Sequence, residues 1–245
     1  MRVCEIFRAE QGEGFLTGTD SLFVRTAGCN LRCRFCDTPY ASWRPEGEQL
    51  SVDEILTLMH DLDDPDRPTG HVVITGGEPM LWGDLVSLTE RLHEEGRHVT
   101  IETAGTVDRP VVCDLMSISP KLSDSDPVDG SLTWQGDDKE IPPVGRWLQT
   151  HRRRRLNEKV IRRLITDYTY QIKFVVGSPD IMSEIQQWLA LFPSIDPSRV
   201  LLMPEARTAA QHAEVETWLE PLAAEYGYKF CPREHVKKHD GERGK

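Results

Sequence analysis

Ser21-Leu22-Phe23-Val24-Arg25-Thr26-Ala27-Gly28-Cys29-Asn30-Leu31-Arg32-Cys33-Arg34-Phe35-Cys36 opens as a strand and ends in three cysteines within eight residues. The other three of the chain's six cysteines, Cys4, Cys113 and Cys231, are scattered. In a reducing compartment such clustering serves a metal or catalysis more often than disulfides. Spacings of four and three residues let one loop wrap three thiolates around a common centre. A structural zinc ion takes four ligands, often as two paired motifs. No second pair follows here, so zinc would need Cys113 or a distant histidine. A [4Fe–4S] cube on three thiolates instead leaves one iron open to a small chelating molecule. The cysteines alone permit both.

Outward from this loop the chain alternates strand and helix. Val52 to Leu62 has helical spacing behind Ser51, an N-cap with Glu54 three residues on. His71 to Thr75 reads as a buried strand ending at Gly76-Gly77, and Asp84 to Glu95 as a helix closed by Gly96. Strands are expected at His98 to Thr103, Asp114 to Ser119, Gln171 to Val176, Val200 to Met203 and Tyr228 to Cys231. Helices are expected at Pro179 to Leu191 and Ala209 to Tyr226. This alternation argues for an α/β fold with a mostly parallel sheet, barrel-like or doubly wound. In such sheets chemistry collects at the carboxyl ends of strands. The cysteine loop, Gly76-Gly77 and Ser119-Pro120-Lys121 all stand at such ends.

The Cys-x3-Cys-x2-Cys loop resembles the signature of the radical S-adenosylmethionine (SAM) enzymes at every required position. Thr75-Gly76-Gly77-Glu78-Pro79 resembles their methionine-binding turn, and paired glycines let backbone approach a ligand closely. Glu10-Gln11-Gly12-Glu13-Gly14, Arg25, Cys36-Asp37-Thr38, Ile101-Glu102-Thr103-Ala104-Gly105-Thr106 and Ser119-Pro120-Lys121 complete an ordered set. That set is similar to the 7-carboxy-7-deazaguanine synthase family of queuosine and deazapurine biosynthesis. The likeness runs from about Glu5 to Lys121; beyond it, only Gln171 to Val176 and Leu202-Met203-Pro204 match. Glu10 departs from the leucine usual there, and Pro232-Arg233-Glu234-His235 matches only loosely a terminus that often joins the family's pterin pocket.

The resemblance implies a partial, modified TIM-like (β/α) barrel. It implies a lyase that converts 6-carboxy-5,6,7,8-tetrahydropterin to 7-carboxy-7-deazaguanine by radical ring contraction with loss of ammonia, SAM being regenerated. The implied cofactors are a [4Fe–4S] cluster, SAM and Mg²⁺. Cys29, Cys33 and Cys36 would hold the cluster; Phe35, Cys36, Asp37, Gly77, Ser119, Pro120 and Lys121 would hold SAM. Glu10 (through its backbone), Gln11, Gly12, Arg25 and Thr75 would hold the pterin. Arg25 suits the substrate carboxylate through its planar fork; without the resemblance it reads as a surface ion pair. Thr38 would hold Mg²⁺, a hard ion that keeps oxygen ligands and waters.

Charge sets limits on partners. Against 29 Lys+Arg stand 40 Asp+Glu, a net charge of −11, which disfavours nonspecific binding to nucleic acid or anionic membranes. The exception is His151-Arg152-Arg153-Arg154-Arg155 with Lys159, Arg162 and Arg163. It reads as the solvated face of one helix buried along Leu148, Leu156, Val160 and Leu164. Before it, Leu122 to about Arg146 reads as a long loop, so residues 122–168 form a variable loop-plus-helix insertion in a single domain spanning 1–245. The start lacks a secretory signal and no apolar run spans a membrane, so a cytoplasmic protein is expected. A polar tail from His235 to Lys245 is expected to fray. The family pattern adds an electron donor such as flavodoxin and a homodimer. Two rivals share the cluster motif: an activase of glycyl-radical enzymes, and a metal-stabilised RNA-binding module.

Overall fold

The computed structural model describes residues 1–129, 144–145, 147–240 and 242–244. Its single sheet takes the order β3-β1-β2-β4-β5-β6-β7-β8-β9. In chain order the strands are β1 (Arg2–Glu10), β2 (Asp20–Thr26), β3 (Glu48–Gln49), β4 (His71–Gly76), β5 (His98–Thr103), β6 (Leu115–Ile118), β7 (Tyr170–Val176), β8 (Val200–Pro204) and β9 (Lys229–Phe230). From β2 onward every neighbouring pair is parallel. β1 runs antiparallel to both β2 and β3. The two edge strands do not meet, so the sheet is an open, partial barrel, as the resemblance implies.

Strand period decides which side is the core. Val72 and Ile74 of β4, Val99 and Ile101 of β5, and Ile172, Phe174 and Val176 of β7 are fully buried on one face. The helices α1 (Pro39–Ser42), α2 (Val52–Leu62), α3 (Leu85–Glu94), α4 (Trp147–Arg154), α5 (Glu158–Asp167), α6 (Met182–Ala190), α7 (Ala209–Glu225) and α8 (Glu234–His239) join these strands. Ile55 and Met59 of α2, Leu88 and Leu92 of α3 and Ile185 of α6 belong to the same core. Each such side chain contributes about 1.5–3 kcal/mol by leaving water. Arg25, Thr75, Glu102, Ser117 and Lys173, on the opposite face, line a cleft.

Local signals held where they were strong. Ser51 accepts from the Glu54 amide at 3.2 Å while the Glu54 carboxylate accepts from the Ser51 amide at 2.8 Å, a complete capping box. Three expectations need correction. β1 lies ahead of the expected first strand; only Val3 of it is fully buried, so its pattern carries little apolar signal. The basic segment is two helices, because Asn157 caps α5 by accepting the Val160 amide, and Leu156 at the break is exposed. The buried positions are therefore His151 on α4 and Val160, Ile161 and Leu164 on α5. The tail does not simply fray: its first residues form α8, and Arg243 pairs with Glu5 at 2.8 Å. Of the long loop, residues 130–143 and 146 lie outside the described residues.

Candidate active site

Four adjacent strand ends build one wall of a cleft of about 1180 Å³. After β2 comes the cysteine loop, after β4 the paired-glycine turn, after β5 Thr103-Ala104, and after β6 Ser119-Pro120-Lys121. The first two interlock. The Gly77 and Glu78 amides donate to the Thr26 and Gly28 carbonyls at 3.2 and 2.9 Å. A Cβ on Gly77 would lie 2.3 Å from the Gly28 carbonyl oxygen, and Gly76 has φ +140°. Only glycine permits this contact of backbone on backbone. The Glu78 side chain turns inward, where its carboxylate accepts from the Thr103 hydroxyl and the Ala104 amide at 2.8 and 2.9 Å. Glu78 thus fastens the β4 turn to β5. Lys121 folds back to donate to the Ser119 carbonyl and hydroxyl at 2.9 and 2.6 Å.

Cys29, Cys33 and Cys36 all face the cleft. Burial pushes the Cys29 thiol up to about 12, Cys33 well above its usual value and Cys36 upward too. Three thiols that burial holds neutral suit a group whose own positive charge deprotonates them, as a coordinating metal does. Among the described residues no three His, Cys, Asp or Glu side chains are placed to hold a single metal ion. Cys113 packs against the core and does not line the cleft, so the zinc reading lacks the fourth thiol expected for it. A cube spreads its thiolates wider than one ion does. The donor set fits a cluster with three protein ligands.

A second part of the lining is charged. Lys173 on β7 sits 2.7 Å from Glu102 and 3.0 Å from Glu13; Arg233 reaches Glu13 at 2.9 Å and also pairs with Asp37. Burial alone would discharge Lys173, but Glu102 and Glu13 outweigh it and raise its pKa. Burial likewise works against the Glu13 charge, yet Lys173, Arg233 and His235 hold its carboxyl well below the usual range. Glu102 accepts the Thr75 hydroxyl at 2.9 Å. Arg233 is held in turn by His212 of α7, fully buried, whose Nε2 accepts the Arg233 amide at 3.1 Å.

The expected residues converge on this cleft with one exception: Pro120 is buried and does not line it. Phe35 lies under the Arg34 guanidinium at 5.3 Å. The Gln11 amide donates to Ser21 at 2.9 Å, and Gly12 is where His235 rests, since a Cβ there would come 2.1 Å from its ring. The Glu10 carboxylate turns to Lys238 at the rim, at 3.0 Å. Arg25 is 16% exposed and gives its Nε to Glu5 at 2.6 Å, its sole hydrogen-bond partner among the described residues. This ion pair does not take it out of the cleft. Thr38 caps α1 without a side-chain hydrogen bond into it, and its hydroxyl stands 4.0 Å from the Cys36 sulfur.

Glu13, Lys173, Arg233 and His235 were not among the expected site residues. A lysine alternating with Ile172 and Phe174 inside the buried Tyr170–Val176 strand is the signal that could have found one of them. Much of the basic segment is occupied at home: Arg152 pairs with Asp126 at 2.6 Å, Arg155 with Glu184 at 3.2 Å, and Arg163 with Asp108.

Comparison with known proteins agrees with this geometry. Residues 23–122 match the model of the Radical SAM superfamily. A 7-carboxy-7-deazaguanine synthase of Rhodopirellula baltica is 43% identical over 243 residues, covering 99% of this chain and 88% of the relative. One of Halobacterium salinarum is 43% identical over 237 residues, covering 95% and 88%. The crystal structure of QueE from Escherichia coli shares the fold at a TM-score of 0.64 with 21% identity, over 94% of this chain and 92% of that one.

Proposed function

Since the chain belongs to the 7-carboxy-7-deazaguanine synthase family of radical SAM enzymes, we propose that its cleft performs the ring contraction of 6-carboxy-5,6,7,8-tetrahydropterin to 7-carboxy-7-deazaguanine, with loss of ammonia. The observation that carries the reading is the pairing of two walls. Three half-buried cysteines stand beside a paired-glycine turn, and the charged group of Glu13, Lys173 and Arg233 lines the same cleft. The [4Fe–4S] cluster with SAM supplies one-electron cleavage of a carbon–sulfur bond and so a radical able to take hydrogen from the substrate.

The chain's own residues hold and orient. Cys29, Cys33 and Cys36 hold the cluster; Gly77, Phe35, Cys36, Asp37 and the Ser119-Pro120-Lys121 turn hold SAM. Gly77 serves by letting the turn lie close, and Lys121 by stiffening the turn after β6. Arg25 takes the substrate carboxylate on the Nη edge that Glu5 leaves open. Thr75 offers its hydroxyl to the pterin, with Glu102 fixing its direction. Glu10, Gln11 and Gly12 shape the rim of the pterin pocket. Glu13, Lys173 and Arg233 add alternating charges that can match the donors and acceptors of a pterin ring. Thr38 takes Mg²⁺ through a hydroxyl that no helix cap uses.

The reading includes a one-electron donor such as flavodoxin, a homodimer, and a cytoplasmic setting that keeps thiols reduced. Among the described residues no helix is long and apolar enough to cross a membrane. The test is anaerobic reconstitution with iron and sulfide, then incubation with SAM, a reductant and the carboxypterin. Formation of the deazaguanine with SAM preserved is expected. SAM cleavage that needs a protein partner, or no product from the pterin, would overturn the proposal.

A further inference from the structure

His151 stands behind the cysteine loop, away from the cleft, and is fully buried on α4. Both ring nitrogens are engaged. Nδ1 lies 3.1 Å from the Arg32 amide and Nε2 lies 2.9 Å from the Ser125 hydroxyl. The amide can only donate, so Nδ1 accepts and the ring proton sits on Nε2, which donates to Ser125. Burial lowers the imidazole's pKa to about 4, consistent with this neutral form.

The Ser125 hydroxyl passes the chain on to the Leu122 carbonyl at 2.5 Å. Leu122 follows Lys121 directly, so the relay ends at the Ser119-Pro120-Lys121 turn. The Ser125 carbonyl meanwhile accepts the Arg34 amide at 3.1 Å. The two amides that flank Cys33, those of Arg32 and Arg34, therefore both close on the His151–Ser125 unit. From the same helix Trp147 stacks on the Arg32 guanidinium at 4.0 Å, and that guanidinium donates to the Cys29 and Leu31 carbonyls at 2.8 and 2.6 Å.

We propose that His151 is a positioning residue for the cluster loop: through Ser125 it couples the backbone around Cys33 to the turn after β6. It acts through the loop's amides and touches neither thiol nor substrate. The basic helix thereby gains a purpose that its arginines alone did not suggest. A ligand loop held at both flanks of its middle cysteine loses its metal more slowly, because a detached thiolate stays in place to rebind. Removing an outer partner of a metal site typically costs on the order of 10–100-fold in affinity.

The inference rests on the cluster reading above, and its test separates the two. The whole chain is reconstituted anaerobically, iron and sulfide per chain are counted, and the visible absorbance is followed after adding EDTA. The melting temperature of the metal-free chain is recorded alongside. His151→Gln can keep the Ser125 side of the relay but loses the acceptor for Arg32. It should shed its cluster about tenfold faster than the parent. His151→Asn, whose Oδ1 falls where Nδ1 was, keeps the Arg32 acceptor but not the Ser125 link, and should decay more slowly than His151→Gln though faster than the parent. Ring removal affects both variants, so a role in packing alone would move them together. A parental rate for His151→Gln, or equal decay of the two variants, overturns the inference while leaving the cluster reading intact. A parent that takes up no cluster overturns both.

Discussion

The two walls of the cleft are built in opposite ways. One is a contiguous loop: three cysteines, clamped by backbone hydrogen bonds and by a glycine turn that leaves no room for a Cβ. The other is assembled from distant positions, Glu13 after β1, Lys173 on β7 and Arg233 before α8, held together by charge. A wall made of adjacent residues fixes a general chemistry, since its spacing alone defines a metal-binding loop. A wall made of remote charges selects a molecule, because its pattern exists only once the sheet has formed. The first is the part shared with other radical enzymes; the second is the part to which our proposal assigns substrate choice.

The sharpest break of this comparison is on the contiguous wall. Cys33→Ala should leave a folded chain with no stable cluster and no turnover, read by iron analysis and product assay. A variant that retains full iron and activity would remove the ligand assignment. Next comes the far wall. Lys173→Met leaves Glu13 and Glu102 without their shared cation, and losing one partner of a buried pair costs about 3–5 kcal/mol. We expect a lower unfolding midpoint and a large loss of product, while SAM still binds and the cluster still loads. Loss of the cluster instead would mean that the walls are not separable.

A smaller effect should come from Thr38→Ala, at the seam between the walls. Product formation should lose most of its response to added Mg²⁺ while cluster loading is unchanged; an unaltered Mg²⁺ response would remove the threonine from that role. The mildest concerns acid. The folded pKa of Glu13 lies well below its unfolded value of about 4.3. Its ionisation therefore stabilises the fold above about pH 4.3, and that contribution is lost as pH falls through the lower folded value. Glu13→Gln should be less stable than the parent at pH 7, and the gap should narrow toward pH 3 in urea melts. A gap that stayed constant with pH would place the glutamate outside the charge network.

This division also explains what could be read before folding. The cysteine loop, the paired glycines and Ser119-Pro120-Lys121 carry their meaning within a few residues, and strand periodicity put each at a strand end. Ser51 and Glu54 did the same for α2. β1 went unread because an edge-side antiparallel strand needs few apolar positions. The break between α4 and α5 went unread because Asn157 competes for the backbone locally, against an every-fourth leucine pattern that ran on through it. Arg233 had only the loose match of Pro232-Arg233-Glu234-His235 to mark it. Its meaning depends on Glu13, 220 residues earlier, and on His212 holding its amide.

One measurement addresses the centre of the account: Mössbauer spectra of the ⁵⁷Fe-reconstituted chain, recorded without and with SAM. Three protein thiolates on a four-iron cube predict that one iron site shifts its parameters when SAM is added and that the other three do not. Four sites that stay unchanged with SAM, or iron that never assembles into a cube, would contradict it.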